Sequence, residues 1–284
     1  MDNDAKEIIS SRAKLVDSYI KSFLINYESQ TPGLGRLYES MKYSLSNGGK
    51  RFRPVLSILT AELLGYPAEK VLAYGAAVEF IHTYSLIHDD LPCMDDDDER
   101  RGQPTNHVKF DETTALLAGD ALQTEAFYLI SSNYMAHPES ALKACLELSR
   151  AAGPRGMVGG QAIDLASVKL KADRELLTKI HEMKTGALIR SAVVGAAYLA
   201  QATEQEINDL KDFGESLGMA FQVADDILDH GEDDSASFTS LLGLDGAKAY
   251  LEELSKECLD LLSGFGSSAD ELKVIVEYNR TRKK

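Results

Sequence analysis

Positive charge is the first thing the chain lacks. It carries 45 acidic residues against 30 basic ones in 284, a formal charge of −15. Non-specific nucleic-acid binding needs a basic footprint, so no nucleic-acid partner is expected. Cysteine is sparse. Cys93, Cys145 and Cys258 show no paired spacing, so neither a disulfide framework nor a zinc site is suggested, and a reducing cytoplasm fits. Long apolar runs are missing as well: the longest, around SAVVGAAYLA at 191–200, is far short of a bilayer, so no stable membrane insertion is expected. The opening MDNDAKEIISSRAK has no apolar signal core and is not the acid-poor type of transit peptide. Cytoplasmic localisation is the expectation. Repeats, low-complexity linkers and shifts of composition are absent too, which points to a single domain over 1–284.

Apolar residues at helical intervals fill much of the chain, and strand-like alternation is not evident. The stretches 70–90, 116–132, 177–200 and 207–229 carry that period. The punctuation falls between them, at TPGLG (31), NGGKRFRP (47), GYP (65), GPRG (153) and HGEDDSAS (230), with the seven prolines sitting in the gaps. The pattern predicts an all-α fold, a large bundle of about ten helices. Several helices are apolar on most faces, so at least one should be buried all round.

Two acidic clusters break this apolar background. In DDLPCMDDDDERRGQ, at 89–103, seven of the first eleven residues are acidic and two arginines follow at once. In FQVADDILD, at 221–229, three aspartates end a helix. Residues seven apart return to one helix face, because each turns about 100°. His82 therefore shares a face with Asp89, and Gln222 with Asp229, with Asp225 and Asp226 on the turn that separates them. Pro92 ends the first helix just after Asp89 and Asp90, so Asp95 must reach back from a loop. Two unit charges about 4 Å apart repel by roughly 4 kcal/mol at an intermediate dielectric, so a cation should settle at each cluster. Ligand sets of oxygen alone select a hard ion: magnesium, manganese or calcium. An EF-hand fails, since counting from Asp97 puts Gly102 correctly sixth but Val108 twelfth, where Glu is required. Magnesium is held by few carboxylates and completed by substrate phosphates, so two facing clusters could grip one diphosphate. The plainer reading, a solvated acidic loop, stays open for Asp96, Asp97, Asp98 and Glu99. It is weaker for DDILD, which interrupts an apolar helix.

The two motifs stand 136 residues apart, and with GGKRFRP, EFIHTYSLIHDDLPCMDDDDERRGQPTNH, LAGDALQTEAF, GMVGGQAIDL, MKTGALI and FQVADDILD the chain resembles the short-chain trans-prenyl diphosphate synthases, most of all bacterial farnesyl diphosphate synthases. The resemblance runs from about 40 to 230 in order. It implies a helical bundle around a central cavity in which an allylic diphosphate ionises, isopentenyl diphosphate attacks the carbocation and a proton leaves. By the same resemblance, Asp89, Asp90 and Asp95 would hold two magnesium ions and Asp225 a third, with Asp226 and Asp229 in support and manganese as a substitute. Arg100, Lys184 and Gln222 would attend the allylic diphosphate. Gly49, Lys50, Arg53, His82 and Arg101 would seat isopentenyl diphosphate. Thr185 would steady the nascent cation, while Gln161 and Asp164 would stand behind these groups. A homodimer is implied, and the diphosphates are the expected small-molecule partners.

Tyr84 and Ser85, five and four residues before Asp89, occupy the family's pocket-floor positions. Five residues of helix span roughly 7.5 Å, so Tyr84 lies well below the metals. A tyrosine there, with the Leu91-Pro92 insertion, resembles the farnesyl synthases; the alternative is a geranylgeranyl synthase. One feature departs from the family. HGEDDSASFTSLLGL runs on without the usual pair of lysines, and none occurs from Asp229 to Lys248. The basic tail EYNRTRKK or a third metal would have to compensate. A terpene cyclase fits poorly, because its second motif is an Asn/Ser/Glu triad. A weakly active or non-catalytic scaffold of the same fold is the reading from another functional class.

Overall fold

The computed structural model describes residues 2–167, 173–231 and 237–283. It is all-α: thirteen helices occur among these residues, with only one two-residue antiparallel pair, Glu99–Arg100 with Gln103–Pro104. In chain order they are α1 (Asp2–Leu24), α2 (Leu34–Ser46), α3 (Phe52–Leu63), α4 (Leu72–Asp89), α5 (Asn106–Lys109), α6 (Glu112–Asn133) and α7 (Pro138–Ala152). There follow α8 (Met157–Ser167), α9 (Arg174–His181), α10 (Ala187–Leu199), α11 (Glu204–Leu228), α12 (Phe238–Ser263) and α13 (Asp270–Thr281). No helix of the described residues is long and apolar enough to cross a membrane.

The chain groups into two compact units. One comprises 1–8, 56–71 and 137–284, the other 9–55 and 72–136. In the second unit α4 is the central element. It is buried from Ala73 to Ile81 and again at Thr83, Tyr84 and Ile87, which matches the expectation of a helix covered on nearly every side. It packs along α6, whose first turn is capped by Asp111. That carboxylate accepts from the Thr114 amide at 2.7 Å and from Arg36 at 2.8 Å.

In the first unit α10, rich in alanine and valine, is buried over most of its length and packs on α7 and α11. α11 opens with a capping box: Glu206 accepts from the Thr203 amide at 2.8 Å, and the Glu206 amide donates to the Thr203 hydroxyl at 3.3 Å. Its inner side meets α12 through Val223, Ala224, Phe238 and Leu251. Burying a side chain such as Val223, Phe238 or Leu251 contributes about 1.5–3 kcal/mol, which anchors the helix carrying the second aspartate motif.

One continuous helix was the expectation for 177–200. The structure interrupts it with a π-helical turn, Glu182–Gly186. Packing explains the interruption. α8 lies so close at Gly160 that a Cβ there would collide with the backbone of Lys184. At Gly218 of α11, a Cβ would come within 2.7 Å of Gly186 Cα. Two glycines thus admit the widened turn from both sides.

Candidate active site

The helix carrying the first aspartate motif ends where Pro92 predicts. α4 stops at Asp89, and the chain folds back through a turn at Leu91–Met94, so that the Asp95 amide donates to the Asp89 carbonyl at 2.9 Å. Asp90 is buried, with a side chain 4% exposed. It receives Arg100 through a fork, Nε at 2.7 Å and Nη2 at 2.5 Å to the same carboxylate oxygen. Burial pushes the Asp90 carboxyl upward and Arg100 opposes it, while the bond to Asp90 holds Arg100 more firmly protonated. Asp97 lies 3.5 Å from Arg100, so part of the acidic loop joins this network instead of being merely solvated.

Arg101 turns the other way. It sits at φ 56° in the left-handed region, on the tight turn that joins the two short strands. Its guanidinium donates to the Gly48 carbonyl at 2.5 Å and lies against Gly49. At Gly49 φ is 124°, and a side chain would strike Arg101, so only glycine admits this approach. The neighbouring positive groups converge on His82. Burial first, then Arg53, Arg101, Arg100 and Arg51, push its pKa well below the ordinary histidine value, and the ring is held neutral. Lys50 is exposed beside Gly49. Arg51 was not among the expected site residues, yet it is the buried cation of the GGKRFRP stretch. It pairs with Glu79 at 2.7 Å and Asp17 at 2.8 Å, and it donates to the Leu45 carbonyl. Those bonds hold its own backbone at φ 48° and fix the loop that presents Gly49 and Lys50.

Tyr84 is 4% exposed, and its hydroxyl is buried with no hydrogen-bond partner. Burial, then the charge of Asp89, push its pKa up to about 12. Its ring meets His88 edge-on at 5.7 Å. Ser85 donates to the His82 carbonyl at 2.9 Å, which consumes its hydroxyl within the helix.

In the other unit the second motif closes α11. Asp225 is bonded by Arg282, at 2.6 Å, from the residue that follows α13. The Arg282 guanidinium also lies over the Phe221 ring at 4.6 Å. Burial raises the Asp225 carboxyl and Arg282 works against that shift. Asp226 accepts from the Phe238 amide at 2.7 Å and stands 3.6 Å from His181. His181 in turn meets the Gln222 amide at 3.3 Å. Asp229 is exposed at the helix end, and the lysine-free stretch after it lies in part, at 232–236, outside the described residues.

The π turn carries Lys184 and Thr185 side by side. Lys184 bonds Asp164 of α8 at 2.6 Å. Gln161, one turn before Asp164, is 9% exposed, and both atoms of its amide are buried without partners. A buried amide that leaves a donor and an acceptor unmet costs about 1–3 kcal/mol, which a bound polar ligand would recover.

Among the described residues no three carboxylate, histidine or cysteine groups converge on one point as a ready metal cage. Donor chemistry gives the fit instead. The exposed or half-buried Asp89, Asp95, Asp225 and Asp229 offer only oxygen, and Asp90 and Asp225 each already attract a cation. Hard divalent ions completed by a diphosphate suit such a set.

Sequence reasoning missed Arg51, His181 and Arg282. Arg51 lay inside the GGKRFRP motif and Arg282 inside the basic tail EYNRTRKK, but neither was given a role of its own.

A profile of the Polyprenyl synthetase family matches residues 35–239. The chain is 43% identical over 267 residues to the farnesyl diphosphate synthase of Micrococcus luteus, an alignment covering 89% of this chain and 91% of that one. It is also 43% identical over 263 residues to geranylgeranyl pyrophosphate synthase 9, chloroplastic, of Arabidopsis thaliana, covering 85% and 73%. Among solved structures it matches an FPP/GFPP synthase from Zymomonas mobilis with a TM-score of 0.91 at 39% identity, covering 99% of this chain and all of that one.

Proposed function

Because the chain belongs to the polyprenyl synthetase family, we propose that it is a prenyltransferase joining isopentenyl diphosphate head-to-tail to dimethylallyl and then geranyl diphosphate, with farnesyl diphosphate as product. One observation carries this reading: the adjacent Arg100 and Arg101 diverge, one to the aspartate motif and the other to the glycine loop. A reaction between two diphosphates needs two separate cationic addresses.

In this reading Gly49, Lys50, Arg53, His82 and Arg101 receive isopentenyl diphosphate. A neutral His82 adds a hydrogen bond there without another charge to desolvate. Arg100, Lys184 and Gln222 attend the allylic diphosphate. Asp89, Asp90, Asp95, Asp225, Asp226 and Asp229 are the residues that would hold magnesium, about three ions by family resemblance, or manganese. Such ions supply neutralisation of the departing diphosphate. Asp164 holds Lys184 in place, and the open amide of Gln161 offers a polar contact behind it. The Thr185 oxygens stabilise the allylic cation in this reading. The Tyr84 ring favours a fifteen-carbon product. Twenty carbons is the alternative, given an equally identical geranylgeranyl synthase.

Exposed Leu116, Leu117 and Tyr128 on α6, and Leu142 and Leu146 on α7, support a homodimer, which sedimentation velocity would test. A cytoplasmic setting goes with this activity.

The decisive assay supplies labelled isopentenyl diphosphate, dimethylallyl or geranyl diphosphate and magnesium. The expected product is fifteen carbons long. A cyclic hydrocarbon, or no extension under any condition, overturns the reading in favour of a cyclase or a scaffold.

A further inference from the structure

A cavity of about 400 Å³ lies within the first unit, lined from α7, α9, the π turn, α10, α11 and α12. None of its lining residues belongs to the set assigned above to the diphosphates. In a chain of net charge −15, its wall carries four cations, Arg150, Arg155, Lys179 and Arg190, against Glu182 and Glu215. Arg190 is committed to Glu147 at 2.8 Å and Glu215 at 3.2 Å, and Lys179 stands 3.8 Å from Glu182. Arg150 and Arg155 have no side-chain hydrogen bond or ion pair among the described residues, so two cations of the wall stay unpaired. The Arg190 side chain is 12% exposed, and its Nε is buried without an acceptor. The rest of the wall includes Met183, Met219, Tyr250 and Leu254. Guanidinium forks beside soft apolar side chains suit an anion that carries a hydrocarbon tail.

The geometry points to a second ligand site here, one that takes an alkyl phosphate or diphosphate without a metal ion. Two nearly uncommitted arginines match a doubly charged phosphate, and the methionines adapt to an aliphatic tail. The cavity also touches the π turn. Met183 and Gly186 line it, while Lys184, the residue that separates Met183 from Thr185, bonds Asp164. A ligand packed on Met183 therefore stiffens the segment that carries Lys184 and Thr185. The proposal stands independently of the reaction assigned above, because binding and stiffening are both measured without turnover.

The test uses n-octyl phosphate and inorganic diphosphate as probes in a buffer containing a chelator, with titration calorimetry on the full chain. One octyl phosphate should bind per chain, and inorganic diphosphate more weakly, because it leaves the apolar wall uncovered. The double variant R150A/R155A changes only exposed side chains and should weaken octyl phosphate by about tenfold or more. Lys184→Ala should leave the affinity unchanged. Amide hydrogen exchange at 182–186 should slow severalfold with octyl phosphate in the native chain and not in the double variant. Undiminished binding in R150A/R155A, loss of binding in Lys184→Ala, equal affinity for the two probes, or unchanged exchange at 182–186 would each overturn the assignment.

Discussion

The two aspartate motifs meet the same problem, crowded negative charge, with counter-ions of different origin. In the first, the cation is local. Arg100 stands ten residues after Asp90, on a short strand of the same stretch of chain, and it grips a carboxylate that is almost wholly buried. In the second, the cation is remote. Arg282 reaches Asp225 from 57 residues downstream, and that carboxylate is about one-third exposed. The neighbouring Asp226 is tied to the start of α12 and to His181. The first motif is thus a self-contained unit of charge. The second is assembled by the fold and depends on where the chain ends up. This bears on the missing lysines, since a tail arginine is already seated on the motif that lacks them.

The comparison is broken most severely at the carboxylates themselves. Asp89→Ala should lower the turnover rate by on the order of a hundredfold or more, because it removes charge stabilisation from a dry site. Asp225→Ala should lose a similar factor. A near-normal rate for Asp225→Ala would leave the second motif without a part in turnover and remove it from the metal-holding set. Tyr84→Ala comes next. It removes a buried ring, at a cost of about 3–5 kcal/mol in stability, and opens the floor. Chromatography of the surviving activity should show chains longer than those of the native enzyme; an unchanged product would remove Tyr84 from any part in length control.

The arginines test the local and remote contrast directly. Arg100→Ala leaves Asp90 buried without its partner and should cost about 3 kcal/mol in urea unfolding. Arg282→Ala leaves Asp225 with access to water and should cost about 1 kcal/mol or less. Equal losses would show that the second pair is as enclosed as the first.

The same contrast explains what could be read from the sequence. The helices were legible because their apolar period is local, and α4 was recognisable as a covered helix because it is apolar on nearly every face. The turn after Asp89 followed from Pro92. The π turn did not follow, because nothing in EMKTG asks for a wider helix; it exists because Gly160 and Gly218 let two other helices approach it. Arg282 was legible only as part of a basic tail. His181 was not legible at all, since its meaning comes from Asp226 and Gln222, more than forty residues away. Arg51 shows the limit within a motif. Charge alone does not tell which of Lys50, Arg51 and Arg53 turns inward, and the choice is made by Glu79 and Asp17.

The smallest expected effect belongs to His82 and concerns pH. Burial and four arginines, Arg53, Arg101, Arg100 and Arg51, depress its pKa in the folded chain below the ordinary value of 6.5. Above that value the ring is neutral in folded and unfolded chains alike and contributes no pH dependence. As pH falls through 6.5 the unfolded chain takes up a proton that the folded chain refuses, so stability declines until the depressed pKa is reached. The slope cannot exceed roughly 1.4 kcal/mol per pH unit, the value for one proton. His82→Gln keeps a polar side chain but removes the titration. Urea midpoints for the native chain and this variant should diverge in their pH dependence between about pH 7 and 5, the variant losing less on acidification. Parallel curves would mean that the ring accepts its proton despite the surrounding arginines, and the neutral seat assigned to it would have to be given up.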